Sequence, residues 1–289
     1  MKTLFFLILT AFTSYCQKGN DTQVHQDSLS ILKPVPYSHL SESVDESSGL
    51  EIIDDHLFTI NDSGGASAIY FLNKEGKEER KLDLKGVKNH DWEEVAAYGD
   101  KIYVGDFGNN RGNRKNLSVY VVNEWQGDEA DHTKISFRYK SQSDFSVRTH
   151  NHSNDCEAMI AFDNELILFS KDWLDQTTEV YHIPIDAEGE QEIEATEKMD
   201  MGLLITGADY DHESQKLVLC GYMNFEMYLW VFDGALPSKM LTDMNQKYKL
   251  EGLTGAQVEG ITFIDENSVM ISTEKTRVFD QQLWTVKLP

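Results

Sequence analysis

Five short stretches of this chain repeat one local pattern: Ser48-Gly49-Leu50, Glu93-Glu94-Val95, Glu157-Ala158-Met159, Thr206-Gly207-Ala208 and Glu259-Gly260-Ile261. Each places an oxygen side chain at the head of a short apolar run, and a polar turn and a second apolar run follow. From Ser48 to Glu93, Glu157, Thr206 and Glu259 the spacings are 45, 64, 49 and 53 residues. A period of that size is the length of a β-propeller blade, whose innermost strands all face one central axis. The expected fold is therefore an all-β, five-bladed β-propeller. Its five equivalent positions bring three carboxylates and two hydroxyls, those of Ser48 and Thr206, toward that axis.

The rest of the chain supports this count. From residue 31 onward short alternating runs are separated by Gly, Asn and Asp turns, and no helical period of ten residues interrupts them. The expected strands are 49–53, 56–61, 68–72 and 80–84 in the first blade and 94–98, 101–107, 117–122 and 134–139 in the second. The third has 158–162, 165–170, 179–185 and 195–200, and the fourth 207–211, 216–222, 227–232 and 239–243. The fifth has only 260–264, 268–273 and 282–287, so residues 30–37 are expected to supply its outer strand and close the ring. Six blades are the weaker alternative, because the one long gap, between Glu93 and Glu157, is filled by four strands and an irregular stretch over 142–155.

Lys2, an apolar run over residues 4–12, and then Thr13 and Ser14 read as an export signal over 1–15. A polar tether over 16–28 and a single propeller domain over 29–289 follow. Cys16 is a candidate lipid acceptor, although Tyr15 before it is not the small residue such sites favour. Lipid on Cys16 is the one membrane attachment expected of an otherwise monomeric protein. Cys156 and Cys220 are the remaining cysteines, read as buried thiols with their pairing left open. A net charge of −23 excludes nucleic acid as a partner, since phosphate backbones demand basic patches.

Three carboxylates about 5 Å apart repel by about 3 kcal/mol per pair at an effective dielectric near 20. Glu93, Glu157 and Glu259 must therefore hold protons, be spread by water, or bind a cation. Calcium takes six to eight oxygens in flexible geometry, so five side chains and water suit it. Zinc prefers His or Cys, which the ring lacks. The expected cofactor is Ca2+ on Ser48, Glu93, Glu157, Thr206 and Glu259.

The loops expected around this ring carry Asp62, Asn109, Asn110, Arg148, Trp173 and Lys275 as a ligand-binding face. Arg111, Arg148, Lys171 and Lys275 stand out against so acidic a background as contacts for an anion such as phosphate. Asp91 and Asp106, each close to the ring, are the candidates for general base. Arg111 and Lys171 would steady developing negative charge. His150 and His152 alternate on one segment and read as surface loop residues.

Several of these residues carry a resemblance to the calcium-activated nucleotidases, or apyrases. Leu57-Phe58-Thr59-Ile60-Asn61-Asp62 is similar to that family's strand ending in an Asp-Asp pair. Glu93 with Ile102-Tyr103-Val104-Gly105 behind it, Glu157 before Ala158, and Val258-Glu259-Gly260-Ile261 resemble three further motifs. Ser48 ahead of Leu50 completes the set, and Thr206 falls where a serine is expected. The resemblance spans residues 46–264 and implies five blades, one axial calcium and nucleotide hydrolysis. Cys156 stands where the family has histidine, Lys171-Asp172 where it has paired arginines, and the chain continues some 25 residues past its Glu-Gly-Ile motif. A looser likeness exists to gluconolactonase-type and phytase-type propellers.

Three functions follow. One is an exported calcium-dependent hydrolase of a phosphoester or phosphoanhydride, acting on a small molecule. The second is a binding propeller with a structural calcium, where Trp92, Trp173 and Tyr222 stack on a ligand. The third is a lactonase or esterase using the same ion.

Overall fold

A computed structural model describes residues 29–53 and 56–289; the expected export signal, tether and Cys16 lie outside them. The described chain contains no helix, and it forms five sheets around a common axis. The five-bladed propeller expected from the repeat is the fold. The innermost strands are Ser47–Ile53, Trp92–Tyr98, Asp155–Phe162, Leu204–Asp211 and Val258–Asp265. Each touches the next, and the last touches the first, so the ring is closed.

Both faces of a blade lie against neighbouring blades, so the middle strands are apolar on both sides. Leu166, Ile167, Leu168 and Phe169 are all buried, as are Ile102, Tyr103 and Val104. Five apolar clusters fill the five gaps between blades. Between the first two, Phe71 stacks on Trp125 at 5.6 Å and Arg80 lies 3.8 Å over Phe71. Turn chemistry sets the strand lengths: Asn73 Oδ1 accepts the N–H groups of Glu75 and Lys77, both at 3.0 Å, and Gly76 takes the left-handed φ of +71° that this turn needs.

Three strands differ from the sequence expectation. Residues 239–243 form no strand; the outer strand of the fourth blade is Asn245–Leu250. The apolar Met240 and Leu241 instead plug the gap between blades three and four. Their N–H groups are satisfied by the Glu197 carboxylate, at 2.7 and 3.0 Å. The leading segment divides its work. Val35–His39 pairs antiparallel with Gln282–Lys287 and completes the fifth blade, while Ser30–Leu32 pairs parallel with Asn245–Leu250 of the fourth. Glu190–Ile193, which carries no strand signal of its own, leaves the third blade and adds a parallel strand to Asp131–Tyr139 of the second.

Residues 30–39 thus staple two blades as well as closing the ring. Deleting residues 29–39 is expected to lower the melting temperature and to speed amide exchange in Gln282–Lys287 and Asn245–Leu250. Exchange confined to Gln282–Lys287 would show that the parallel strand contributes nothing.

Candidate metal centre

All five innermost strands carry a pairing irregularity near the entrance to the ring. In four of them the residue skipped by the ladder is the oxygen residue itself: Glu93, Glu157, Thr206 and Glu259. A bulge kinks the strand and re-aims one side chain, here toward the axis. In the first blade the skipped residue is Gly49, next to Ser48. Its φ is +66°, and a Cβ there would lie 2.5 Å from both Glu94 Oε1 and the Val95 nitrogen, so only glycine fits.

The two hydroxyls hook neighbouring blades together. Ser48 Oγ donates to the Glu93 carbonyl at 2.5 Å, and Thr206 Oγ1 donates to the Val258 carbonyl at 2.6 Å. Glu157 forms a buried ion pair with Lys171, whose side chain is 4 % exposed. Burial works against the Lys171 charge, but the carboxylates of Glu157 and Glu259 prevail and hold its pKa above the ordinary lysine value. Its ammonium also faces the rings of Trp173 at 4.6 Å and Tyr222 at 5.1 Å. Lys171 therefore neutralises the ring rather than standing free beside it.

The other two glutamates gather further acids. The ligand atoms of Asp62, Asp91 and Glu93 lie within 4.8 Å of one another, and so do those of Asp62, Glu259 and Glu274. Glu93 is 2 % exposed, and its Oε1 has no hydrogen-bond partner; Glu274 is 6 % exposed, and its Oε1 has none either. Gly108 makes the room, since a Cβ there would collide with Glu93 Oε1 and approach the Asp91 carboxyl. Burial, then the neighbouring Glu259 charge, pushes Asp62 up to about 7. Burial against the pull of Arg114 leaves Asp91 at about 6. Burial and Glu259 push Glu274 up to about 11. Without a cation these groups hold their protons to higher pH than ordinary carboxylates do. Buried carboxylate oxygens without donors, one of them seated against Gly108 where a Cβ would stand, are the donor set a hard divalent ion fits.

The loop residues part company. Arg111 is exposed and, with Ser63, His90, Asp91, Asn110 and Arg114, lines a cavity of about 470 Å³ beside the first triad. Asp106 is 1 % exposed and fully engaged: Arg114 Nη2 donates to Oδ1 at 2.7 Å, and His90 Nδ1 lies 3.1 Å from Oδ2. Asp106 holds the loop, which leaves Asp91 as the candidate base. Asn109 is buried, its N–H donating to Asp155 Oδ1 and its Nδ2 to the Asn154 carbonyl, both at 2.6 Å. Arg148 is turned to Asp144, at 3.6 Å. Trp173 donates to Asp155 Oδ2 at 2.7 Å and stacks on His150 at 4.0 Å. Lys275 is exposed, and its backbone N–H donates to the Asp45 carbonyl at 2.8 Å. Cys156 and Cys220 are buried free thiols.

Sequence reasoning passed over Glu274 and Arg114. Glu274 had a signal: it follows the second strand of its blade as Asp62 follows the second strand of the first. At the opposite end of the channel Glu51, Glu94 and Asp209 form another acidic group. Each there accepts two backbone N–H groups, from Ile52 and Ala97, Val95 and Ala208, and Tyr210 and Phe263.

No protein-family model matches the chain, and no curated protein does. Solved structures share the fold. A Clostridium thermocellum exo-beta-1,3-galactanase is 12 % identical with a TM-score of 0.53, covering 88 % of this chain and 62 % of its own. A Thermus thermophilus putative oxidoreductase, described as a glucose dehydrogenase, is 9 % identical with a TM-score of 0.49, covering 88 % and 99 %. A putative exported protein from Bacteroides fragilis is 10 % identical with a TM-score of 0.45, covering 93 % and 98 %. The chain is thus a five-bladed propeller with distant structural neighbours, and the likeness extends to the fold alone.

Two predictions follow from these charges. Lys171→Met leaves Glu157 buried without its partner, a change that costs about 3–5 kcal/mol. In chelator the melting temperature is expected to fall by on the order of 10 °C, with partial recovery in millimolar calcium; an unchanged melting temperature would remove Lys171 from the ring's charge balance. Asp209 is raised by burial from 3.8 to about 6, so the native state binds its proton more tightly than the unfolded chain. Its stabilising contribution is complete below pH 3.8 and is lost as pH rises through about 6. Denaturant titrations between pH 4 and 7 should show Asp209→Asn with a shallower fall in stability than the parent.

Proposed function

We propose that this protein is an exported, calcium-binding propeller that hydrolyses a small phosphate-bearing substrate. The observation that carries the reading is the unpartnered, buried Glu93 Oε1 among Asp62 and Asp91, with Asp91 also lining the Arg111 cavity. Asp62 and Glu93 would hold the ion, and all-oxygen donors without His or Cys favour calcium over zinc. When bound, the ion supplies charge that polarises a phosphoryl oxygen.

The chain's own groups do the rest. Arg111, exposed at the cavity wall, contacts the phosphate and orients it. Asp91 takes the proton of the attacking water, its carboxylate lining the cavity within 4.8 Å of the Asp62 and Glu93 ligand atoms. Arg114 keeps Asp106 and the loop in place, with a second contact to the Gly108 carbonyl at 2.7 Å. The same ion suits a lactone carbonyl; the arginine-lined cavity beside it favours a phosphate. Export is supported by the N-terminal Lys2 and the apolar run after it.

A binding propeller with a structural ion is the second reading, favoured by Trp173 and Tyr222 flanking Lys171 at the mouth. Phosphate release from nucleotides and sugar phosphates, with and without chelator, separates the two. Release is expected only with calcium, and Asp91→Asn is expected to lower kcat by about 100-fold or more. Turnover that persists in saturating chelator ends the calcium-dependent hydrolytic reading. Calcium binding without turnover of any phosphate ester leaves the binding propeller.

A further inference from the structure

The geometry points to a second cation site at the mouth, formed by Asp62, Glu259 and Glu274, which shares Asp62 with the first so that one carboxylate bridges two ions. This rests on the reading that Asp62 and Glu93, with Asp91 beside them, hold the first ion. Two oxygens bound to one calcium at about 2.4 Å stand no more than about 5 Å apart. The five carboxylates meet that limit as two triads with Asp62 in common, each having its ligand atoms within 4.8 Å of one another.

Each triad also carries its own unsatisfied atom. Glu93 Oε1 belongs to the first and Glu274 Oε1 to the second, both in side chains more than nine-tenths buried. An ion in the first triad leaves Glu274 Oε1 without a partner and does nothing for the Glu259–Glu274 contact. The donor on that side is Gln257 Nε2, at 3.3 Å from Glu259 Oε1. The buried ammonium of Lys171 is committed to Glu157, which belongs to neither triad. At the far end of the channel, Glu51, Glu94 and Asp209 take their hydrogen bonds from backbone N–H groups and have no such need. Four ligating carboxylates, Asp62, Glu93, Glu259 and Glu274, with Asp62 bridging, balance two divalent charges. A shared carboxylate places ions about 4 Å apart, the spacing of two-metal hydrolytic centres.

The test counts ions on the full chain, stripped with chelator and titrated with calcium by calorimetry and native mass spectrometry at physiological salt. Two ions are expected for the parent, and one each for Glu274→Gln and Glu93→Gln, with circular dichroism confirming that both variants fold. One ion in the parent overturns the second site and leaves the first standing. None overturns both. Two ions in folded Glu274→Gln place the second ion elsewhere and overturn the assignment. Should Glu274→Gln fail to fold, electron paramagnetic resonance of the parent loaded with two equivalents of Mn2+ decides. Spin coupling that suppresses the isolated six-line spectrum is expected of a shared carboxylate, and two uncoupled ions overturn the bridge.

Discussion

Repulsion among inward-pointing carboxylates is the constraint on which this molecule turns. A propeller brings equivalent positions of every blade to one axis, and in this chain many of those positions are acidic. At about 3 kcal/mol for each pair of charges 5 Å apart, a ring of bare carboxylates would consume much of the stability of a domain. The chain meets the problem in three ways. At one end of the channel, backbone N–H groups satisfy Glu51, Glu94 and Asp209. Within the ring itself, the ammonium of Lys171 answers Glu157. At the mouth, Glu93 and Glu274 keep oxygens that no donor reaches.

The bulges explain how the charges get there. In a regular strand Glu93, Glu157 and Glu259 would alternate with their neighbours between the two faces of a blade. One skipped residue per strand turns each toward the axis instead. The same irregularity lets Ser48 and Thr206 reach the carbonyls of the next blade, which fixes the angle between blades where the charges meet. Strand Glu190–Ile193 and the divided leading segment resist the opening that repulsion favours, tying blade three to two and bracing four and five together.

Much of this was legible in the order of residues because blade period and strand alternation are local signals. The five oxygen positions were readable, and so was the closing role of the leading segment. What escaped was set by contacts between distant residues. Met240 and Leu241 have the apolarity of a strand, and only the Glu197 carboxylate, 43 residues from Met240, decides that their N–H groups do without a sheet. Glu190–Ile193 is polar and short, and becomes a strand because the edge of blade two accepts it. Lys171 looked like a free cation because its partner lies one strand away across a hairpin. Asp62 was placed with the ligand loops and Glu274 passed over, since a second layer of acids appears only when the strand ends are superposed in space.

The net charge of −23 bears on what the mouth can accept. A field of that sign draws divalent cations in and holds phosphates away. Arg111 is the exposed cation on the cavity wall, and one guanidinium does not offset the acids beside it. On the proposed reading, an anionic ligand at this site would depend on bound ions for its affinity. By thermodynamic linkage the dependence is mutual: the ligand must raise the affinity for the ions by the same factor. The orphaned oxygens of Glu93 and Glu274 make physical sense in that light. Donors built into the protein would have stabilised the channel in every state, as they do at its other end. Leaving the oxygens bare makes the state of the mouth conditional on what arrives from solution.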